Sequence, residues 1–242
     1  MPPPSASPPL LQPADLGAIS LFASLDLEQH RRLLENHRLQ AVAAEHCLVM
    51  EEEESQGLFL LRSGLIKVRC FDLDGEETVL GLLGPGDVCG EMAVLNPQGL
   101  RSADLVTLTA CNVAILRAGP FSTLLRSEGR LALALAQLQC QRLQAVNRRL
   151  RLRGGDASTR LLAALVDLAS HCAPDALAPA AAATVPIPPL PQRELAGLAG
   201  LAREPASRTL GTLRRRALVA DTPDGGLQLL DPADLQRRGL LG

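Results

Sequence analysis

Residues 190–216, LPQRELAGLAGLAREPASRTLGTLRRR, decide the fold. Leu195, Leu198 and Ala199 fall at helical spacing, Gly200 and Leu201 form a corner, and Ala206, Leu210 and Leu213 begin a second apolar face. Two short helices joined by a tight turn is the helix-turn-helix pattern. The second helix opens with Arg203 and Glu204 and carries Ser207 and Arg208 one turn later. Recognition helices meet base edges at that end. Pro205 fits there, because the first-turn amide it removes has no partner inside the helix.

Arginine can donate two parallel hydrogen bonds to guanine O6 and N7, and glutamate can accept from the cytosine N4 amine. Arg203, Glu204, Ser207 and Arg208 are therefore candidates for bases, and Arg214 and Arg215 for DNA at the helix end. The competing reading is an amphipathic hairpin with a solvated arginine face. The residues beyond the helix oppose it: Leu218–Val219, the turn Thr222–Gly226 (TPDGG) and Leu227–Leu230 read as a β-hairpin, the wing of a winged helix.

On the N-terminal side, residues 157–171 form an apolar helix ahead of this unit, and residues 173–189 a Pro- and Ala-rich loop with one short strand near Val185. Gly154-Gly155-Asp156 is a hinge. Before it, a long helix is expected over 121–153, with Leu143, Val146 and Leu150 at three- and four-residue steps and Leu135 and Leu138 extending the stripe. Such a stripe suits a two-stranded seam; packing on the chain's own barrel is the alternative.

Between Leu39 and Leu116 the period shortens to strands of four to eight residues divided by Gly, Asp and Pro, the mark of an antiparallel barrel or sandwich. Asp74-Gly75 and Pro85-Gly86 read as hairpin turns, and Glu51–Glu54 as a solvated turn. Inside this region Gly90-Glu91-Met92-Ala93 precedes a loop with Asn96-Pro97 and Gly99, then Arg101-Ser102-Ala103. Small residues leave amides open to an anion, Arg101 can hold a phosphate, and Glu91 can accept from sugar hydroxyls. The set suits a cyclic nucleotide. In front, residues 1–15 read as a flexible arm and residues from Leu21 as a helix with Phe22, Leu25, Leu33 and Leu34 on its apolar side. His30 and His37 on it are taken as exposed histidines without a third ligand.

The order helix, barrel with GDVCGEMAVL…RSA, long helix and winged helix resembles the cyclic-AMP receptor and FNR family of bacterial transcription regulators over roughly residues 20–240. The resemblance implies an α+β chain: an N-terminal cyclic-nucleotide-binding-like β jelly roll, a long dimerisation helix and a C-terminal winged helix-turn-helix. The expected division is an arm over 1–15, an effector-binding roll over 16–130, a dimerisation helix over 121–153 and a DNA-binding domain over 156–242. It puts Gly90, Glu91, Arg101 and Ser102 on the family's phosphate and ribose contacts, with Met92 beside them. Val146 and Asn147 stand where the receptor carries a threonine and a serine that touch adenine. Valine cannot make that hydrogen bond, which leaves Asn147 as the candidate. Arg203, Glu204 and Arg208 match the receptor's recognition helix, and Glu204, Ser207 and Arg208 that of the FNR branch.

The 242 residues are 47% hydrophobic, with no run of 18 or more uncharged apolar residues and no signal-peptide pattern, so a cytoplasmic chain without a membrane partner is expected. The formal net charge of −2 conceals a division: residues 1–130 hold 10 basic and 17 acidic side chains, 131–160 hold 6 and 1, and 191–242 hold 8 and 6. A basic face, not the total, binds phosphate. Six scattered cysteines without metal-ligand spacing predict reduced, mostly buried thiols and no metal.

The expected partners are inverted-repeat double-stranded DNA, a second copy of the chain and RNA polymerase, with a cyclic nucleotide as effector and no other cofactor. Two other functions compete. One is a DNA-binding regulator without an effector, in which Glu91 and Arg101 form a buried structural ion pair. The other is a regulatory module of an enzyme, which the absence of any G-x-S-x-G, P-loop or HExxH pattern opposes. An iron-sulfur sensor lacks cysteines in the arm, and a haem sensor lacks an axial pair.

Overall fold

The computed structural model describes residues 10–55, 57–96, 98–172, 184–230 and 235. It divides into two compact units: residues 1–64 with 84–142, and residues 65–83 with 143–242.

The first unit opens with two short helices, α1 (Pro13–Gly17) and α2 (Leu27–Leu33). The arm predicted over 1–15 is thus already folded in its second half: Pro13 starts α1, and Leu11 and Leu16 are buried. Residues 1–9 lie outside the described residues. The helix expected from Leu21 begins only at Leu27, because Asp26 caps it. The Asp26 carboxylate accepts from Gln29 N at 2.8 Å, and the Gln29 side chain accepts from Asp26 N at 2.9 Å. Phe22, Leu25, Leu33 and Leu34 are nevertheless all buried. So is His30, against expectation: its Nε2 meets Phe22 O at 2.9 Å, which pins the turn before α2.

Two groups of antiparallel strands follow. The strands β1 (Arg38–Val42), β8 (Cys111–Leu116), β3 (Leu58–Ser63) and β6 (Val88–Cys89) pair in that order. Residues 38–42 run against 115–111. β2 (Cys47–Val49) pairs with β7 (Asp104–Thr107). The short helix α3 (Glu91–Leu95) leaves β6 through Gly90. The helices α4 (Ala118–Ser127) and α5 (Gly129–Leu152) end the segment. The single helix expected over 121–153 is therefore two. Glu128 takes an extended backbone between them, and Gly129 starts the second. Phe22 meets Phe121 of α4 edge to face at 6.4 Å, and Leu131 and Leu135 of α5 join the same core.

The second unit contains a long hairpin, β4 (Ile66–Phe71) and β5 (Glu77–Leu83), closed by Asp74-Gly75 with Gly75 at φ +81°. Pro85-Gly86, by contrast, makes a turn but no hairpin, since β6 beyond it pairs with β3. The rest is the winged helix: α6 (Ala157–Cys172), β9 (Val185–Ile187), α7 (Gln192–Leu198), α8 (Arg203–Arg215), β10 (Val219–Asp221) and β11 (Leu227–Leu229). Asp156 caps α6 by accepting from Thr159 N at 2.7 Å. Leu161, Leu165 and Leu168 of α6 are buried together with Leu195 and Leu210 of the two following helices. β11 lies between β9 and β10, so the strand near Val185 completes the wing as a three-stranded sheet. Of the loop over 173–189, residues 173–183 are outside the described residues.

Candidate functional site

Arg101 is the centre of the first site. It is 6% exposed, and its guanidinium donates to Gly57 O at 2.9 Å and Gly90 O at 3.2 Å. It also stands 5.1 Å from the centre of the Phe59 ring. Gly90 permits this approach: at φ +87°, a Cβ there would sit 2.3 Å from Arg101 Nη1. Burial draws the Arg101 pKa below its ordinary value, although Cys89, Glu53 and Glu91 oppose that shift; an arginine remains charged regardless. The neighbouring Cys89 thiol is pushed up to about 12 by burial, so it is neutral. The buried cation has carbonyls as its hydrogen-bond partners, with the charges of Glu53 and Glu91 acting on it from further away. It faces a cavity of about 430 Å³ between the strands, lined also by Arg38, Val49, Glu53, Phe59 and Ile115.

Glu91 does not pair with Arg101. The structural ion pair weighed from the sequence is replaced by another: Glu91 Oε1 accepts from Arg142 Nη1 and Gln139 Nε2 of α5, both at 2.6 Å. Arg142 Nη2 also donates to Val88 O at 2.5 Å. The side chain of Glu91 is 2% exposed, and its Oε2 is buried without a hydrogen-bond partner. Met92 and Ser102 are exposed beside it, the Ser102 hydroxyl 3.6 Å from the Met92 sulfur. Gly90, Glu91, Met92, Arg101 and Ser102 are thus brought to one neighbourhood. Gln139 and Arg142 are the residues the sequence reading missed; their three-residue spacing on one helix face was the available signal.

Asn147 stands on the exposed side of α5. That side carries Leu133, Ala136, Cys140, Leu143, Asn147 and Leu150, at alternating steps of three and four. Leu133, Leu143 and Leu150 are 60%, 61% and 54% exposed, a large apolar area for one helix. Leu135 and Leu138 do not extend this stripe. They face the core of the first unit, and Val146 is half-buried at the stripe's flank. The thiols also differ from expectation: none of the six is in a disulfide, but only Cys89 and Cys111 are buried and Cys140 is exposed.

In the second unit Gly200, at φ +59°, makes the corner between α7 and α8. Arg160 of α6 holds it there, donating from Nε to Ala199 O at 3.0 Å and bonding Gly200 O. Ala206, Leu210 and Leu213 bury the inner face of α8, and Pro205 is its third residue. Arg203, Glu204, Ser207 and Arg208 are exposed on the outer face. Glu204 and Arg208 approach to 3.6 Å at 81% and 72% exposure, a pairing weak enough to be exchanged for base edges. The helix-end arginines are more engaged: Arg214 bonds Asp221 of the wing at 2.5 Å, and Arg215 donates to Thr212 Oγ1 at 2.9 Å.

A strand roll with a buried arginine beside a cavity, a long helix, and a winged helix-turn-helix together make the architecture of a transcription regulator with a separate roll domain. Comparison with known proteins agrees. Residues 39–128 match the cyclic nucleotide-binding domain and residues 159–238 the Crp-like helix-turn-helix domain. The chain is 31% identical over 182 residues to the cyclic AMP receptor protein of Thermus thermophilus, covering 75% of this chain and 78% of that one. It is 26% identical over 174 residues to the cAMP-activated global transcriptional regulator CRP of Salmonella typhimurium, covering 72% and 80%. The crystal structure of a CRP/FNR-family transcriptional regulator, also from Thermus thermophilus, superposes with a TM-score of 0.62 at 25% identity, over 83% of this chain and 97% of that one. FixK2 of Bradyrhizobium japonicum, at 16% identity and a TM-score of 0.70 over 83% and 96%, shares the fold. The chain belongs to the cyclic-AMP receptor and FNR family, and is a transcription regulator and not an enzyme. Among the described residues, no helix is long and apolar enough to cross a membrane, and no cluster of side chains could hold a metal ion.

Proposed function

We propose that the protein is a homodimeric, DNA-binding transcription regulator of the cytoplasm, controlled by a cyclic nucleotide held in the roll. The observation that carries the effector is Arg101: a buried guanidinium with carbonyl partners, facing a cavity of about 430 Å³, can take a phosphate. The free Oε2 of Glu91 supports a sugar hydroxyl beside it. Gly90, Met92 and Ser102 complete the site, and Asn147, on the α5 stripe, would reach the base from the dimer seam. Leu143, Val146 and Leu150 lie in or beside that seam. Arg203, Glu204, Ser207 and Arg208 read an inverted repeat, with Arg215 at the phosphates. The domain division follows the same roles: roll over 16–130, seam helix to 153 and DNA-binding domain over 156–242. RNA polymerase is the further partner that such a regulator addresses.

One observation favours a second reading, a regulator without an effector. Oε1 of Glu91 is already taken by Arg142 and Gln139, so that oxygen is satisfied by the protein's own side chains without a ligand hydroxyl. Calorimetric titration with cyclic AMP and cyclic GMP, paired with measurement of DNA affinity, separates the two. Heat of binding together with a change in DNA affinity supports the effector; neither with any cyclic nucleotide supports the second reading.

A further inference from the structure

The β4–β5 hairpin lies within residues 39–128, the stretch that matches the cyclic nucleotide-binding domain, yet it packs in the same compact unit as the winged helix. Its chain neighbours on both sides, Gly64 and Gly84, belong to the other unit. Lys67 on β4 is 4% exposed and donates to Glu77 Oε1 of β5 at 2.8 Å and to Glu194 Oε2 of α7 at 2.7 Å. Arg69 completes the group by donating to Glu77 Oε2 at 2.7 Å. With Arg193 Nε 3.7 Å from Glu194 Oε1, three cations surround two carboxylates, and the ammonium has opposite charge on both sides. Loss of Glu194 would leave the buried ammonium with Glu77 alone, and loss of Lys67 would leave Glu194 with only the more distant and more exposed Arg193, so breaking the contact weakens the compensation of a buried charge.

The hairpin grips a second place. Arg149, near the end of α5, donates to Leu80 O of β5 at 2.8 Å and pairs with Asp167 of α6. Arg153 donates to Thr78 Oγ1 of β5 at 3.2 Å. Between α5, which ends at Leu152, and α6, which starts at Ala157, the chain passes through Gly154 and Gly155. The hairpin therefore holds the chain before the glycine joint, at Arg149 and Arg153, and after it, at Glu194. α7 is close enough that a Cβ at Gly197 would lie 3.5 Å from Glu77 Oε1.

We propose that the β4–β5 hairpin is a strap that sets the orientation of the helix-turn-helix, and that Lys67 is a positioning residue for DNA recognition, acting through Glu194. The strap leaves the reading face open, since Arg203, Glu204, Ser207 and Arg208 are all exposed. It acts on aim and not on access. A recognition helix that must meet one groove register loses affinity in proportion to the fraction of molecules wrongly oriented. Holding the glycine joint from both sides raises the competent fraction, so an intact strap favours DNA binding.

The test is a cycle of three variants, Lys67→Met, Glu194→Gln and the double, with Lys67→Arg as the conservative control. The double removes both charges together, so it folds without an orphaned ion even if a single variant does not. Amide hydrogen exchange is followed in β4, β5 and α7, and affinity for a selected duplex is measured well below the melting temperature. The single variants should speed exchange on both sides of the contact and weaken DNA binding at least fivefold. The double should be no worse than the weaker single, because both act through one contact, and Lys67→Arg should stay near the parent. The proposal rests on the DNA-binding reading. Failure of the parent to bind any duplex would sink that reading, and the exchange data would still judge the strap. DNA affinity within twofold of the parent in all variants, tighter binding, or strictly additive effects would overturn the proposal.

Discussion

Arg142 Nη1 lies 2.6 Å from Glu91 Oε1 and so ties the middle of α5 to the first residue of α3. The carboxylate is almost fully buried while the guanidinium is 28% exposed, so the pair is asymmetric: Glu91 depends on Arg142 more than the reverse. The same Arg142 bonds Val88 O, one residue before Cys89 and two before Gly90, which places the helix, the strand end and the α3 start under one side chain.

Arg142→Met should therefore destabilise the protein by about 3 kcal/mol, the lower end of the range for breaking a buried pair, because solvent reaches one partner. Adding Glu91→Gln should recover part of the loss, since a neutral amide tolerates burial better than an orphaned carboxylate. Denaturant unfolding of the two variants measures this. Equal stability of Arg142→Met and the parent would show that Gln139 alone satisfies Glu91.

Much of the chain was legible in its residues, and the rest was hidden for definite reasons. The helix-turn-helix could be read because each signal is local: apolar spacing in α7 and α8, Gly200 at a positive φ, Pro205 in the first turn and TPDGG in the wing. The break between α4 and α5 was not, because the polar stretch over 126–130 that holds it is short enough to sit on the solvent face of one continuous helix and only Gly129 marks the change. Periodicity also merged two faces of α5. Leu135 and Leu143 share the helix, but one enters the core and the other meets solvent, and only the neighbouring strands decide which. Of the effector residues, Gly90 and Arg101 formed a recognisable motif, whereas the partners of Glu91 come from 48 and 51 residues away. Lys67 and Glu194, 127 residues apart, leave no trace in any local pattern.

The hairpin charges give a pH dependence of known sign. Burial alone would raise the pKa of Glu77, but the hydrogen bonds and positive charges of Lys67 and Arg69 outweigh it and hold the group below 4.5. A carboxylate depressed in the folded state adds stability that is fully present above the unfolded value and is lost as pH falls through the folded value. Melting temperature should therefore decline below about pH 4.5, and Glu77→Gln should flatten that limb. A parent and variant with parallel acid limbs would place the sensitivity elsewhere.

The exposed stripe on α5 predicts the association. Two parallel copies in register would bury Leu143 and Leu150 and set Asn147 against its counterpart, as a single polar residue does when it fixes a two-stranded register. Leu143→Asp, and less strongly Val146→Asp at the flank, should weaken the dimer by about 3–5 kcal/mol through unpaired buried charge. Leu135→Ala should instead cost about 2–5 kcal/mol of fold stability and leave association intact. Sedimentation distinguishes these. Mild oxidation offers an independent check, because the exposed Cys140 would face its own counterpart and give a covalent dimer. A Leu143→Asp protein that sediments as the parent does would move the seam off this stripe.

The DNA-reading face makes the sharpest demand. Two recognition helices related by a two-fold axis should select an inverted repeat with half-sites about 34 Å apart, in successive major grooves. Arg203 and Arg208 are suited to guanine and Glu204 to cytosine, so every half-site should contain at least one G·C pair. Because Glu204 and Arg208 pair only loosely at the surface, little is given up when each turns to a base. Arg208→Ala should cost about 1–3 kcal/mol and relax preference at one position. Arg215→Ala should weaken all sequences alike and flatten the salt dependence, as loss of a phosphate contact does. Arg214 differs from both: its bond to Asp221 joins α8 to the wing, so Arg214→Ala and Asp221→Asn should have similar, non-additive effects. Selection from random duplexes with each variant reads all of this. Recovery of no inverted repeat by the parent, or an unchanged preference in Arg208→Ala, would remove the base-reading assignment, while additive losses for Arg214 and Asp221 would return Arg214 to the DNA.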